Sequence, residues 1–377
     1  MENFKINKRN KMKRERVIIS TFDEIKNPNY GGGGAVGIHE AALRLEKAFD
    51  VLVICGNYFG AKNGVYNRVK YKHIGPRFLS SKISQLIFQI ILPFYVFFEK
   101  YDLWVESFTP PFSTTCLQWF TDKPVIGLVH MLSGEDMQRK YRLPFPLIEK
   151  FGLKQYRFFI VTTDQMKNKI KSINNSASIA VIPNGINLPV FEMNKKRANE
   201  ILFLGRIEIN QKGLDLLIEA YSNIARKSLY KLKIAGSGEK KEIKKLLGLI
   251  QNKKLQDRIE LMGKVEWAKK NTLLNRVKII VVPSRFETFS ITALEAIASG
   301  ALLVHFDISG LSWIPDAFSI RAKKITSKSL ETALMSAIKQ DVKTNLDLQS
   351  RFVKDLNWDN IGNKYFEYIN DVLDLKK

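Results

Sequence analysis

The sequence predicts an α/β protein made of two doubly wound halves. Three observations carry this. Short apolar, strand-like runs alternate with helix-period segments from residue 16 to residue 306. The alternation breaks once, at VIPNGINLPVF (181–191), where Pro183, Asn184, Gly185 and Pro189 punctuate the chain, and then restarts. No short repeat or low-complexity tract intervenes. Strands joined by helical crossovers argue for parallel sheets covered on both faces.

In the first half, RVIIST (16–21) reads as a strand and AVGIHEAALRLEKAF (35–49) carries apolar residues at helical spacing. DVLVICGN (50–57), DLWVES (102–107), PVIGLVHM (124–131) and RFFIVTT (157–163) read as further strands, the last followed by the helical DQMKNKIKSI. The second half starts with strand EILFLGRI (200–207), helix LDLLIEAYSNIA (214–225), strand YKLKIAGSG (230–238) and a helix over 239–250. It continues with strand IELMG (259–263), helix WAKKNTLLNRV (267–277), strand KIIVVPS (278–284), a helix over 290–299 and strand ALLVHF (301–306). The boundaries this implies are 1–185, 186–355 and a closing helical segment 356–377, expected to pack back on the first domain. Two facing doubly wound domains bind ligands at the carboxyl ends of their strands, in the cleft between them.

Composition narrows the class. Hydrophobic residues make up 45% and charged ones 26%, so each half has material for a core without disulfides. The only cysteines, Cys55 and Cys116, lie in apolar surroundings, and the four histidines show no metal-ligand spacing. A basic N-terminus, MENFKINKRNKMKRER, runs directly into a strand with no apolar signal region. The most apolar window, ISQLIFQIILPFYVFF (83–98), is shorter than a membrane span and is interrupted by Gln85, Gln89 and Pro93. The expectation is a cytoplasmic, non-spanning chain. The formal net charge of +23 invites nucleic acid, an anionic membrane surface or a phosphate-rich substrate. No nucleic-acid motif is present and the basic residues spread through both halves, so nucleic acid is not expected.

The chemistry concentrates in four places. In SRFETFSITALEAIASG (284–300), Glu287 falls in the loop after a strand and Glu295 inside the following helix, with Ser290 as N-cap and Gly300 as stop. The free amides of that helix start form an anion site between the two carboxylates. A molecule with hydroxyls at both ends and a diphosphate in the middle, a nucleotide-sugar, fits this pattern. The alternative is that Glu287 complements the helix dipole and Glu295 is a solvated helix residue. In FLGRIEINQKG (203–213), Arg206 and Lys212 follow a strand and could neutralise a leaving diphosphate, or be two solvated surface charges. NYGGGGAVGIHE (29–40) places glycines before a helix, where backbone approaches a ligand closely. It matches G-x-G-x-x-G at Gly32, Gly34 and Gly37, but the glycines do not follow the strand directly and strand 50–57 ends without an acidic residue. His130 sits at the carboxyl end of a strand, where it would face a ligand, although a lone histidine is more often structural.

Together, GRIEINQKG, IAGSGEKKEIKKL, IELMGKV, VVPSRFETFSITALEAIASG and LNWDNIGNKYFEYI, with the glycine loop 31–34 and VIPNGIN, resemble the retaining GT-B glycosyltransferases of family 4. The resemblance spans nearly the whole chain and is strongest in the second half. It implies a GT-B fold, with an N-terminal acceptor-side domain and a C-terminal nucleotide-sugar domain. It also implies a metal-independent transfer of the hexosyl type, in which the nucleotide diphosphate sugar is a co-substrate and no cofactor is used. At matching positions, Arg206 and Lys212 would bind the diphosphate, Glu287 the sugar hydroxyls and Glu295 the ribose. Backbone amides around Phe289, Ser290 and Ile291 would complete the phosphate site. Gly236 and Gly238 would line the nucleotide side, Val265 would lie near the base, and Gly33 and Gly34 would join the donor site. His130 would contact the sugar near the reaction centre. The chain departs from the family at Ser290, where glycine is usual, so this hydroxyl would narrow the phosphate site or bond to it. The acceptor is expected to be a glycan or a lipid-linked hydroxyl; the basic N-terminal arm and the apolar segment 83–98, both in the first half, suggest the lipid-linked one, with peripheral attachment to the inner face of an anionic membrane. Segment 83–98 is either that contact or a helix buried against the sheet. A catalytically degenerate accessory subunit and a nucleotide-sugar epimerase on the same fold remain the alternatives.

Overall fold

The computed structural model describes residues 14–27, 32–187, 197–340 and 346–375. The basic N-terminal arm, Gly31 of the glycine loop and the end of the 181–191 junction lie outside the described residues. The chain forms two compact units. The first takes Met1–Ile160, Ile170–Ala180 and Gly362–Lys377; the second takes Val161–Lys169 and Val181–Ile361.

The first sheet arises from β1 (Arg16–Thr21), β2 (Asp50–Gly56), β3 (Gly64–Tyr66), β4 (Val69–Ile74), β5 (Leu103–Ser107), β6 (Val125–Val129), β7 (Phe158–Val161) and β8 (Ser178–Val181). Their spatial order is β3-β4-β2-β1-β5-β6-β7-β8. β1 pairs in parallel with both β2 and β5, and Ile18 faces Leu52 on one side and Trp104 on the other. The central strands are buried on both faces, which is why they read as continuous apolar runs. β3 lies antiparallel on β4 at the edge, and its residues are exposed or half-buried. Helix α1 (Gly33–Leu45) starts two residues earlier than periodicity predicts, so Gly33 and Gly34 form its first turn. Ala35, Ile38, Ala42 and Leu45 bury one face of it. Its N-cap, Gly32, supplies no side-chain cap.

Segment 83–98 departs from the buried-helix reading. It forms α2 (Ser81–Ile91) and a 3₁₀ segment, Leu92–Phe97. Phe88, Leu92 and Val96 are buried, but so are Ser84 and Gln89, while Ile83, Leu86, Ile90, Phe94, Phe97 and Phe98 are exposed. Ser84 and Gln89 are accommodated inward by bonding backbone carbonyls, those of Leu79 and Thr109. The unit continues with α3 (Gly134–Tyr141) and α4 (Phe145–Leu153); α5 (Asp164–Lys171) follows β7 and belongs to the second unit as far as Lys169.

The second sheet contains β9 (Ala198–Leu204), β10 (Lys231–Ala235), β11 (Ile259–Gly263), β12 (Val277–Val282), β13 (Leu302–Phe306) and β14 (Ser319–Ala322), all parallel, in the order β11-β10-β9-β12-β13-β14. Numbered within the unit this is 3-2-1-4-5-6, so the winding reverses between β9 and β12. Successive side chains of β9 go to opposite faces. Ile201 and Phe203 join the core under α6 (Leu214–Ile224), α7 (Lys240–Asn252) and α10 (Ser327–Lys339); Leu202 joins the one under α8 (Trp267–Arg276), α9 (Ile291–Ser299) and α11 (Leu346–Asp355).

The last helix, α12 (Trp358–Asp374), begins in the second unit, where Trp358 packs against Gly185. From Gly362 on it belongs to the first. There Arg44 lies over Gly362, Phe366 meets Phe49 at 5.6 Å between ring centroids, and the Tyr368 hydroxyl donates to the Ser178 carbonyl at 2.9 Å. No helix among the described residues is long and apolar enough to cross a membrane.

Candidate functional site

The reversal between β9 and β12 leaves the loops after these two strands to diverge, and a ligand recess forms at such a point. The loop after β9 carries Arg206 and Lys212; the loop after β12 carries Glu287. The Lys212 ammonium donates to Glu287 Oε1 at 2.6 Å, joining the two loops across the reversal. The Ser284 hydroxyl, itself buried, donates to the same oxygen at 2.7 Å. Glu287 Oε2 carries no hydrogen bond among the described residues and remains an acceptor. Lys212 is therefore not an isolated solvated charge, and Glu287 does more than complement a helix dipole. Arg206 differs: its side chain is 60% exposed, 3.2 Å from Glu208 and 3.1 Å from Gln211 Oε1. Arg285 fastens the two loops from behind, with a bidentate pair to Asp215 at 2.8 and 2.6 Å and a bond to the Asn210 carbonyl.

Helix α9 starts and stops where the sequence indicates. Ser290 is its N-cap and Gly300, at φ 73°, its left-handed stop. The Ser290 hydroxyl accepts from the Ala293 amide at 3.2 Å. It turns into the helix end and removes one donor that a glycine at this position would leave free. The amides of Ile291 and Thr292 have no such acceptor among the described residues. Ser290→Ala is expected to cost about 1 kcal/mol of stability, and Ser290→Gly only a few tenths. Ser290→Gly should also bind a nucleoside diphosphate more tightly, because the Ala293 amide is released; titration calorimetry would show it.

Glu295 lies one turn further on. Its Oε1 accepts from the Lys270 ammonium of α8 at 2.6 Å and its side chain is 12% exposed, so it is not a solvated helix residue. Its Oε2 is unbonded among the described residues. Phe289 is buried, and its ring stacks on Trp313 at 4.5 Å between centroids with 7° between planes. Its side chain thus holds the loop.

Gly236 and Gly238 serve the packing of loops. Gly236 has φ 156°, and a Cβ there would lie 1.8 Å from the Gly205 carbonyl oxygen; at Gly238 it would lie 2.2 Å from that of Ile207. The loops after β9 and β10 are thus in backbone contact, further tied by Ile207 N donating to Ser237 O at 2.8 Å. Val265 is half-buried against the core beneath α9.

In the first unit, the structure brings the glycine loop and His130 together. His130 follows β6, and a Cβ on Gly34 would touch its ring at 3.7 Å. Its Nε2 is out of solvent and has no hydrogen-bond partner among the described residues. Burial lowers its pKa to about 4, so the imidazole is neutral at pH 7. Because the folded value lies below the ordinary 6.5, the unfolded chain takes up this proton first as the pH falls. The corresponding stability is complete above about pH 6.5 and is lost on going down to about pH 4. His130→Gln is expected to flatten that part of the stability profile, measured by urea unfolding at pH 7, 6 and 5. Burial likewise raises the thiols of Cys55 and Cys116, the latter half-buried with a value near 11.

Sequence reasoning missed Lys270, Ser284, Arg285, Trp313 and Gly310. At Gly310 a Cβ would lie 1.7 Å from the Glu287 carbonyl oxygen, so this glycine is what allows the Glu287 loop its place. Charge pairing offered a signal for Lys270 alone, as the lysine doublet in AKK, but nothing local says which carboxylate it meets.

Two family models match the chain. One, described as Glycosyltransferase Family 4, covers residues 31–189, and the other, Glycosyl transferases group 1, covers 198–340. An uncharacterized glycosyltransferase of Methanocaldococcus jannaschii is 31% identical over 169 residues, which are 40% of this chain and 43% of the relative. The matched stretches span about half the length of the curated relatives. Among solved structures, the sucrose-phosphate synthase of Thermosynechococcus elongatus superposes with a TM-score of 0.80 at 18% identity, covering 96% of this chain and 100% of that one. Anabaena HepE, solved in complex with UDP-glucose, superposes with a TM-score of 0.73 at 13% identity, covering 95% and 100%. These likenesses give the fold as GT-B. With one model on each half, the chain belongs to the group 1, family 4 glycosyltransferases.

Proposed function

We propose that the chain transfers a sugar from a nucleotide diphosphate sugar to an acceptor hydroxyl with retention of the anomeric configuration. The observation that carries this is the Lys212–Glu287 pair across the β9/β12 reversal, beside the amides that begin α9. Glu287 Oε1 is fixed by Lys212 and Ser284, so Oε2 is oriented to accept from sugar hydroxyls. Glu295, fixed on one oxygen by Lys270, offers the other to the ribose. The diphosphate lies at the start of α9, on the amides of Ile291 and Thr292. Arg206, on its exposed loop, closes on the outer phosphate, and Gly236, Gly238 and Val265 border the nucleotide. Breaking the anomeric C–O bond sends its electrons to the diphosphate; Arg206, Lys212 and the α9 dipole stabilise that charge in place of a metal ion. His130, in the first unit, carries a neutral ring nitrogen without a partner among the described residues. UDP-glucose in HepE supports the donor class. The acceptor is a glycan or lipid-linked hydroxyl, and the exposed apolar side of segment 83–98 favours the lipid-linked one.

A thermal-shift panel of UDP-, GDP- and ADP-sugars, without added metal, tests the reading. One donor class should raise the midpoint, and Arg206→Ala or Glu295→Ala should abolish the shift. No shift in the folded protein with any donor would favour an accessory subunit without turnover. A shift accompanied by conversion of the sugar with no acceptor present would favour an epimerase.

A further inference from the structure

The outer face of α2 is apolar. Ile83, Leu86 and Ile90 lie at intervals of three and four residues on one side of α2; Leu79 before it, and Phe94 and Phe97 in the 3₁₀ segment after it, continue the same spacing. All six are between 37% and 67% exposed, whereas the polar Ser84 and Gln89 are turned inward. A surface helix normally does the reverse. The stripe is extended by Phe98 at one end and by Phe78 at the other, 78% and 84% exposed. Phe78 pairs with the equally exposed Phe59 at 6.4 Å between centroids. These two rings border a pocket of about 240 Å³ whose lining includes Asn57, Tyr58 and Arg77. The arrangement therefore passes from hydrocarbon along its length to a polar recess at its end.

Charge selects the occupant. Residues 77–98 contain no aspartate or glutamate. Glu99, the next acid, is engaged by Arg16 at 3.2 Å and Lys72 at 2.6 Å. Arg77, Lys82 and Lys100 are exposed at the margins, with no ion pair among the described residues. An apolar stripe this long is far beyond scattered surface hydrophobics. A protein partner would call for a hydrogen bond every one or two hundred Å² of interface, and the stripe side chains themselves offer none. Lipid asks for none in its hydrocarbon and presents phosphates at its margin.

We propose that this face seats the first unit on an anionic bilayer. The six stripe side chains enter the boundary between headgroups and acyl chains, and Arg77, Lys82 and Lys100 meet lipid phosphates. The inference rests on the transferase reading for its use, since an acceptor anchored in a bilayer has to be met at the surface.

The test is co-sedimentation of the full chain with vesicles of phosphatidylcholine, or of phosphatidylcholine and phosphatidylglycerol in equal parts. Wild type should pellet with the anionic vesicles and much less with the neutral ones. Phe94→Ser/Phe97→Ser should weaken this by at least about tenfold, given the two buried rings lost. Lys82→Glu/Lys100→Glu should weaken it by about tenfold at low salt and less at high salt. The donor-induced thermal shift, unchanged in both variants, shows that they are folded and keeps failure of this inference apart from failure of the donor reading. Equal pelleting of wild type and the phenylalanine variant would overturn the proposal and assign attachment to the basic N-terminus. No pelleting of wild type, with a dimer in light scattering that the same variant abolishes, would overturn it in favour of a second copy of the chain.

Discussion

Glu287→Ala is expected to abolish transfer while leaving a folded protein about 1–3 kcal/mol less stable. The stability loss follows from its partners. Lys212 is 20% exposed, and its ammonium would be left without the carboxylate it meets at 2.6 Å. Partial access to water keeps the loss below that of a fully buried pair. The activity loss has a different origin, removal of the oxygen proposed to accept from the sugar hydroxyls. Glu287→Gln separates the two. It keeps an oxygen for Ser284 and Lys212 but not the charge, so it should lose less stability than Glu287→Ala, yet turnover should fall about 10²–10³-fold. Release of nucleoside diphosphate in the presence of acceptor measures this. A glutamine variant with wild-type turnover would remove Glu287 from the chemistry.

The second large effect is at a residue proposed to touch no substrate. Gly310→Ala places a Cβ 1.7 Å from the Glu287 carbonyl oxygen and 2.5 Å from its carbonyl carbon. Both are backbone atoms, so no side-chain rotation relieves the clash. The loop after β12 has to move, at a cost of about 2–4 kcal/mol. Because that loop carries the Glu287 carboxylate, donor affinity should fall as well. Urea unfolding reads the first effect and donor titration the second. Unchanged affinity would show that the Glu287 loop need not hold this position to bind.

The parallel sheets were legible because their central strands are buried on both faces, which leaves runs such as KIIVV bounded by helix-period segments. The positions of Glu287, Arg206 and Lys212 were legible for the same reason, since each follows a strand end. The β3–β4 hairpin was not: GVYNRVKYKH lies at a sheet edge and mixes polar and apolar residues, without the run that marks a buried strand. The pairs Lys212–Glu287 and Lys270–Glu295 join loops and helices 75 and 25 residues apart, a relation that no local spacing records. Gly310 reads as an ordinary turn glycine until the Glu287 carbonyl is placed against it. The 83–98 segment misleads differently. Its apolar content suggests burial, and only the structure shows which of its faces meets the core.

The central claim is that a nucleotide diphosphate sugar is held at the start of α9 beside the Glu287–Lys212 pair. Residue-resolved amide exchange, with and without saturating UDP, GDP or the donor identified by thermal shift, tests it most directly. The amides of Ile291 and Thr292 should be protected by the ligand, and protection there should disappear in Glu295→Ala and Arg206→Ala. Ligand binding that protects other segments and leaves the start of α9 unchanged would contradict the account.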